Sequence, residues 1–341
     1  MLYVPNDCHD PAKNLAIETY LLKEKEINEP ILFFYINHPS VIIGRNQNTA
    51  EEVNHQYVKA HHIDVVRRLS GGGAVYHDLG NLNFSFILPD AKDYMDFATL
   101  TKPIVDALTH LGVKGVHLSG RNDLLIGEQK FSGNAMYRYQ NRMFCHGTLL
   151  FDSDLTQIND ILTVDPSKLK KKGVASVRSR VTNIKPHLPK DKQEMTTESF
   201  KTALLHYLFS TDCLADIPTY ELTAEEMKRV AEIQKEYYSN WDWNYGASPD
   251  YNVKVNHRFS SGNIELYLLI KNSKIENIAI YGDFFGVLET HDLIETLQGC
   301  PLEKESLEKA LDAFDLPAYL GRDVTKEAFL SLLLSAKDCE N

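Results

Sequence analysis

Apolar positions recur along this chain with two periods, and the changes from one period to the other mark its elements. Asp10 and Pro11 supply a capping acceptor and a proline at the first helical position, and Ala12, Leu15, Ala16, Thr19 and Leu22 follow at helical spacing. This predicts a helix over residues 11–27. ILFFYI (31–36) and VIIG (41–44) are short runs of β-branched and aromatic residues separated by Asn37, Pro39 and Ser40, which suits neighbouring strands. A helix over 48–60, capped by Asn48, comes next. DVVRRL (64–69) reads as a strand entering a run of three glycines, and beyond it Leu82, Phe84, Phe86 and Leu88 alternate with polar or small residues. The glycines therefore lie between two strands.

Phe97, Leu100, Ile104, Leu108 and Leu111 return to helical spacing over 93–111, whereas 122–150 breaks into short strands with a turn at Gly127, Glu128 and Gln129. The segment 167–185 has no steady apolar period, carries six basic residues in its first fourteen positions, and reads as a loop. Helices are expected from Thr197 and from Thr223. WDWNYGASPDYN (241–252) then collects Asn, Gly, Ser and Pro as a linker does. Strands over 251–280 and helices near 291–299, 304–314 and 324–334 complete the chain. A length of 341 residues exceeds what one hydrophobic core normally serves. The expected organisation is an α+β domain over 1–243 with largely antiparallel sheets, a linker at 244–250, and a small α/β accessory domain over 251–341.

Composition narrows the chemistry. No apolar run is long enough to cross a bilayer, and the first residues lack the basic and apolar regions of a secretory signal, so a cytoplasmic protein is expected. The five cysteines are scattered and never form a C-x-x-C pair, which argues against disulfide frameworks and structural zinc. A net charge of −11 disfavours broad electrostatic binding to nucleic acid, so any anion site must be local.

Such a site has candidates. Gly71, Gly72 and Gly73 let backbone N–H groups approach a phosphate or carboxylate, and Arg67 and Arg68 stand just before them with guanidinium forks suited to phosphate oxygens. The alternative is a plain turn between strands, since no Walker A or dinucleotide fingerprint is present. Lys130 follows a tight turn and precedes the small-residue segment FSGNA; it is either a solvated lysine or a cation for developing negative charge. Asp123 could cap a turn or meet Mg²⁺ or a ribose hydroxyl. His77 and His146 are isolated, so structural roles compete with acid–base ones. Cys145 lies in an apolar strand-like run, where thiols are usually inert. From the residues alone, an anion-binding enzyme is the limit of inference.

The ordered set RR-x-SGGGAVYHD-x-GN, GRND, K-FSGNA, HGTLL and SVRSRVTN resembles bacterial lipoate–protein ligase A over essentially the whole chain. The resemblance implies a catalytic domain similar to class II aminoacyl-tRNA synthetases and biotin ligases. It also implies a reaction in two halves: lipoate and ATP form lipoyl-AMP with Mg²⁺, and the lipoyl group then passes to one lysine of a lipoyl domain. By the same resemblance Arg68, Gly73, Ala74, Val75, Tyr76, Asn83, Asp123, Val177, Arg180 and Thr182 are expected at the ATP or adenylate. Arg67, Gly71, Gly72, His77, Gly133, His146 and Gly147 are expected at lipoate. Lys130 is the expected catalytic residue, touching both, and Asp123 is the expected metal neighbour. The implied acceptors are the glycine cleavage H protein, the E2 subunits of 2-oxoacid dehydrogenases, or both. The competing reading is a cysteine-dependent octanoyl or lipoyl transferase of the same fold. Its nucleophile would be upstream of the lysine motif, where 115–130 holds no cysteine.

Overall fold

The computed structural model describes residues 1–162, 181–246 and 250–339. These cluster into two compact units, one of 1–42, 51–67 and 75–244, the other of 43–50, 68–74 and 245–341.

The first unit is built on a mixed seven-stranded sheet. Its strands are β1 (Leu2–Val4), β2 (Ile31–Ile36), β6 (Asn81–Leu88), β7 (Val116–Ser119), β8 (Asp123–Ile126), β9 (Gln129–Tyr139) and β10 (Arg142–Leu150), in the order β1-β2-β6-β10-β9-β8-β7. The β1–β2 pair is parallel and the rest are antiparallel. A second sheet places β3 (Ser40–Ile43) between β4 (Asp64–Arg67) and β5 (Val75–His77). Helix α1 (Pro11–Lys23) starts as the sequence predicts, with the Asp10 carboxylate accepting from the N–H groups of Ala12 and Lys13. It ends four residues earlier than the predicted 27, at Lys23. The predicted helix over 48–60 is two, Thr49–Glu52 and His55–Ala60, because the Asn54 side chain restarts the turn by accepting from the Tyr57 N–H. Three-residue β1 was not predicted; it is too short to show a period.

Antiparallel pairing puts opposed residues on one face of a sheet. Leu32, Phe34, Leu82, Phe84 and Phe86 face a core closed by Ile104 and Leu108 of α2 (Phe97–His110) and by Phe200 and Leu204 of α3 (Thr197–Phe209). The other face is polar at its centre. There Asn83 opposes Tyr35 and Thr148, and Ser85 opposes Phe33 and His146. Two further helical pieces follow, α4 (Ala224–Ile233) running into a π-turn over Gln234–Tyr238.

In the second unit, β11 (Val253–Phe259), β12 (Gly262–Lys271) and β13 (Lys274–Gly282) form an antiparallel sheet. Leu266, Leu268, Ile278 and Ile280 pack with Leu293 of α5 (His291–Leu297), Leu307 of α6 (Lys304–Leu311) and Phe329 of α7 (Lys326–Leu334). The glycine run and residues 43–50 belong to this unit.

Candidate functional site

The glycine run is held by Arg68. Its guanidinium donates to Ser70 Oγ at 3.0 Å, to the Gly71 carbonyl at 2.7 Å and to the Gly73 carbonyl at 2.9 Å, while its backbone N–H donates to the Ile43 carbonyl. The three glycines stand in different surroundings. Gly72 has φ of 91°, a left-handed backbone that disfavours a side chain. A Cβ on Gly71 would come within 2.4 Å of the Phe284 carbonyl oxygen. A Cβ on Gly73 would meet nothing within 4 Å, so that stretch of backbone faces open space. Ala74 completes this loop.

Arg67, just before it, is tied elsewhere. Its side chain donates to the Trp243 and Asn244 carbonyls, its N–H donates to Asn244 Oδ1, and the Trp243 indole N–H donates to its carbonyl. On the far side, Val75, Tyr76 and His77 form β5, paired with Ile42, Val41 and Ser40. Burial, and next the Asp78 charge, push the Tyr76 hydroxyl up to about 12, so it remains a neutral donor.

Lys130 owes its direction to a bulge. Asp123 pairs with Gly133, and Leu124 with Ser132, but Leu125 pairs with Lys130, so the register slips past Phe131. Without the slip, Lys130 and Gly133 would have opposite parity and point to opposite faces; with it they share one. Lys130 Nζ accordingly lies 2.8 Å from Asp123 Oδ1. A Cβ on Gly133 would sit 3.1 Å from that Nζ, so the absent side chain gives the ammonium room. The Lys130 carbonyl accepts from the Thr182 N–H at 2.9 Å. Asp123 is itself steadied by a clasp between neighbouring motifs: Asn122 Nδ2 donates to the Asn134 carbonyl, and Asn134 Nδ2 to the Asn122 carbonyl.

On the polar face Asn83 donates to the Tyr35 carbonyl and accepts from Asn81 Nδ2. His146 Nδ1 lies 3.0 and 3.1 Å from the two carboxylate oxygens of Glu18, and both residues are buried. Gly147 faces the opposite side of the sheet, where a Cβ would strike Asn134 Oδ1 at 2.1 Å and the Phe84 ring at 2.7 Å. Cys145 is on that side too, packed with Met136 and Met143, and burial, followed by the Glu18 charge, pushes its thiol far up. Val177 and Arg180, with most of the basic loop, lie outside the described residues.

Sequence reading did not single out Glu18, which pairs with His146, nor Asn14 and Asn37, which bond to each other with Asn37 Nδ2 3.0 Å from His77 Nδ1. The available signal was Asn14 and Glu18, two polar residues one helical turn apart within an otherwise apolar stripe of α1. For the implied Mg²⁺, no group of three His, Cys, Asp or Glu side chains that could hold a metal occurs among the described residues. A single carboxylate is nonetheless compatible with Mg²⁺, which commonly takes one or two carboxylates plus substrate phosphates and water. Asp123, with one oxygen on Lys130 and substantial exposure, fits that requirement.

Two family models match the chain: the lipoyl protein ligase A/B catalytic domain over residues 10–209 and the bacterial lipoate protein ligase C-terminus over 248–333. The chain is 46% identical to the lipoate-protein ligase LplJ of Bacillus subtilis, over 98% of this chain and 100% of that protein. Among solved structures it is similar to P. falciparum LipL1 in complex with lipoate, with a TM-score of 0.78 and 25% identity over 98% and 99% of the two chains. A lipoate-protein ligase A bound with ATP matches at TM-score 0.60 and 28% identity, over 72% of this chain and 98% of that one. The Thermoplasma acidophilum bi-partite ligase, described with its E2 lipoyl domain, matches at TM-score 0.62 and 30% identity, over 74% and 98%.

Proposed function

The chain belongs to the lipoate–protein ligase family, and from that membership we propose that it converts lipoate and ATP to lipoyl-AMP and transfers the lipoyl group to one lysine of a lipoyl domain. It is an ATP-dependent ligase. The observation that carries the assignment is Lys130, turned by the β9 bulge beside Asp123 and given room by Gly133.

In the first half-reaction the lipoate carboxylate attacks the α-phosphorus and pyrophosphate leaves. In the second, the acceptor amine attacks the acyl carbonyl and AMP leaves. Negative charge grows on phosphoryl oxygens in the first and on the carbonyl oxygen in the second. A fixed ammonium at Lys130 stabilises both, and no protein nucleophile is needed. Arg68, Gly73, Ala74, Val75 and Tyr76 are proposed at the nucleotide, with Asn83, Asp123, Val177, Arg180 and Thr182. Arg67, Gly71, Gly72, His77, Gly133, His146 and Gly147 are proposed at lipoate. Mg²⁺ would be held by Asp123 and substrate phosphates and would neutralise phosphate charge. The proposed division is a catalytic domain over 1–243, a linker at 244–250 and an accessory domain over 251–341. The two matched family models support it.

The cysteine-dependent alternative needs an exposed thiolate. Cys145 is fully buried on the core side of β10, which opposes that reading. Proposed acceptors are the E2 subunits of 2-oxoacid dehydrogenases and the glycine cleavage H protein, in the cytosol. No helix among the described residues is long and apolar enough to span a membrane. Incubation with lipoate, Mg²⁺-ATP and a purified lipoyl domain should add one lipoyl mass to the domain and release pyrophosphate. If neither product forms, the assignment fails.

A further inference from the structure

Three buried or half-buried asparagines form a single-file chain that ends on His77. Asn6 Oδ1 accepts from the Cys8 N–H at 3.3 Å, which turns Asn6 Nδ2 toward Asn14 Oδ1 at 2.9 Å. Asn14 Nδ2 donates to the Cys8 carbonyl at 2.9 Å and to Asn37 Oδ1 at 2.8 Å. Asn37 Nδ2 then lies 3.0 Å from His77 Nδ1.

The direction of this chain is not arbitrary. A backbone N–H can only donate and a carbonyl can only accept, so the Cys8 peptide orients both Asn6 and Asn14. Flipping any one amide would set two donors or two acceptors face to face. Asn14, Asn37 and His77 are all buried, where such a mismatch is costly. The amide that reaches His77 is therefore a donor, Nδ1 is the unprotonated ring nitrogen, and the proton sits on Nε2.

We propose that Asn14 and Asn37 are positioning residues that hold His77 as the neutral Nε2–H tautomer, so that its ring offers a donor to an oxygen of the acyl substrate. The proposal rests on the reading of His77 as part of the lipoate site. Helix α1 thereby orients two histidines from consecutive turns: Asn14 acts through Asn37 on His77, and Glu18 acts directly on His146 Nδ1. The two rings carry their orienting bonds in opposite sense, since Nδ1 accepts in His77 and donates in His146. An Nδ1–H tautomer of His77 would present a lone pair at Nε2 and repel a carboxylate.

The test is long-range ¹⁵N–¹H correlation on the histidine-labelled protein without substrate, with the His77 signals assigned by their loss in His77→Gln. A pyridine-type Nδ1 with a pyrrole-type Nε2 is expected; the reverse pattern, or a doubly protonated ring at neutral pH, overturns the proposal. Asn37→Asp keeps an acceptor for Asn14 Nδ2 but offers a carboxylate to Nδ1, so it should reverse the signature. It should also raise the KM for lipoate on the order of tenfold with a smaller change in kcat, as loss of a hydrogen bond to a charged group does. An unchanged signature and unchanged KM in that variant would also overturn it. The parent spectrum needs no substitution, so a poorly folding variant does not remove the test. Absence of lipoyl transfer by the parent protein strikes the ligase reading alone, because the tautomer is read without turnover.

Discussion

Arg68 and Lys130 are both cations proposed for the same chemistry, yet their surroundings are opposite. Arg68 is 6% exposed, and its guanidinium is committed to Ser70, Gly71 and Gly73. Lys130 has a side chain 38% exposed and pairs with Asp123, whose side chain is 39% exposed. Buried polar groups are costly unless satisfied, so the Arg68 bonds form with the fold and fix the shape of the loop. An exposed ion pair is worth about 0–1 kcal/mol, so Lys130 can exchange Asp123 for a phosphate with little loss. On the proposed reading, one cation shapes the backbone offered to the nucleotide and the other is kept available to meet charge.

The largest expected effect follows at the available cation. Lys130→Ala should slow both adenylate formation and lipoyl transfer by about 10²-fold or more, with thermal stability near that of the parent. Pyrophosphate release and domain mass measured separately would show whether both halves fall; unaltered rates would remove Lys130 from the chemistry. Arg68→Lys preserves charge but loses the planar fork, and should raise the KM for ATP roughly tenfold through a loosened loop. If the variant matched the parent in steady-state kinetics, the shaping role would be wrong.

The glycines sharpen the contrast within the loop. Gly71→Ala should destabilise by about 1–3 kcal/mol, since its Cβ would meet the Phe284 carbonyl. Gly73→Ala should alter stability by less than about 0.5 kcal/mol and still weaken ATP binding, because its Cβ would stand in the open space proposed for the nucleotide. Denaturant melts and nucleotide titration of the two proteins separate these effects, and equal behaviour would contradict the distinction. The smallest effect belongs to Cys145→Ala, which should keep lipoyl transfer within roughly twofold of the parent, as expected for a buried thiol. Loss of transfer there would revive the cysteine-dependent reading.

Much of this was legible in the chain. The Asp10–Pro11 start of α1, the strand flanks of the glycines and the alternation from Leu82 to Leu88 depend on local spacing, and the structure follows them. The motif order likewise pointed to the family that the comparisons show. Where local signals competed, as at Asn54, the extent of a helix was misjudged.

The sequence by itself determined which residue types stand ready: a guanidinium before three glycines, a lysine after a turn, no cysteine over 115–130 leading into it. Only the tertiary structure decided how each is used. A one-residue slip at Phe131 puts Lys130 on the face of Asp123, and that slip depends on which strands pair. The three glycines differ because one lies against the Phe284 carbonyl, one needs a left-handed backbone and one faces open space. Asn14 and Glu18 read as polar interruptions of a helix until Asn37 and His146, distant in sequence, are folded against them. Spacing carries information over a few residues, whereas pairing register and side-chain partnership join segments up to more than a hundred residues apart, and only folding brings those together.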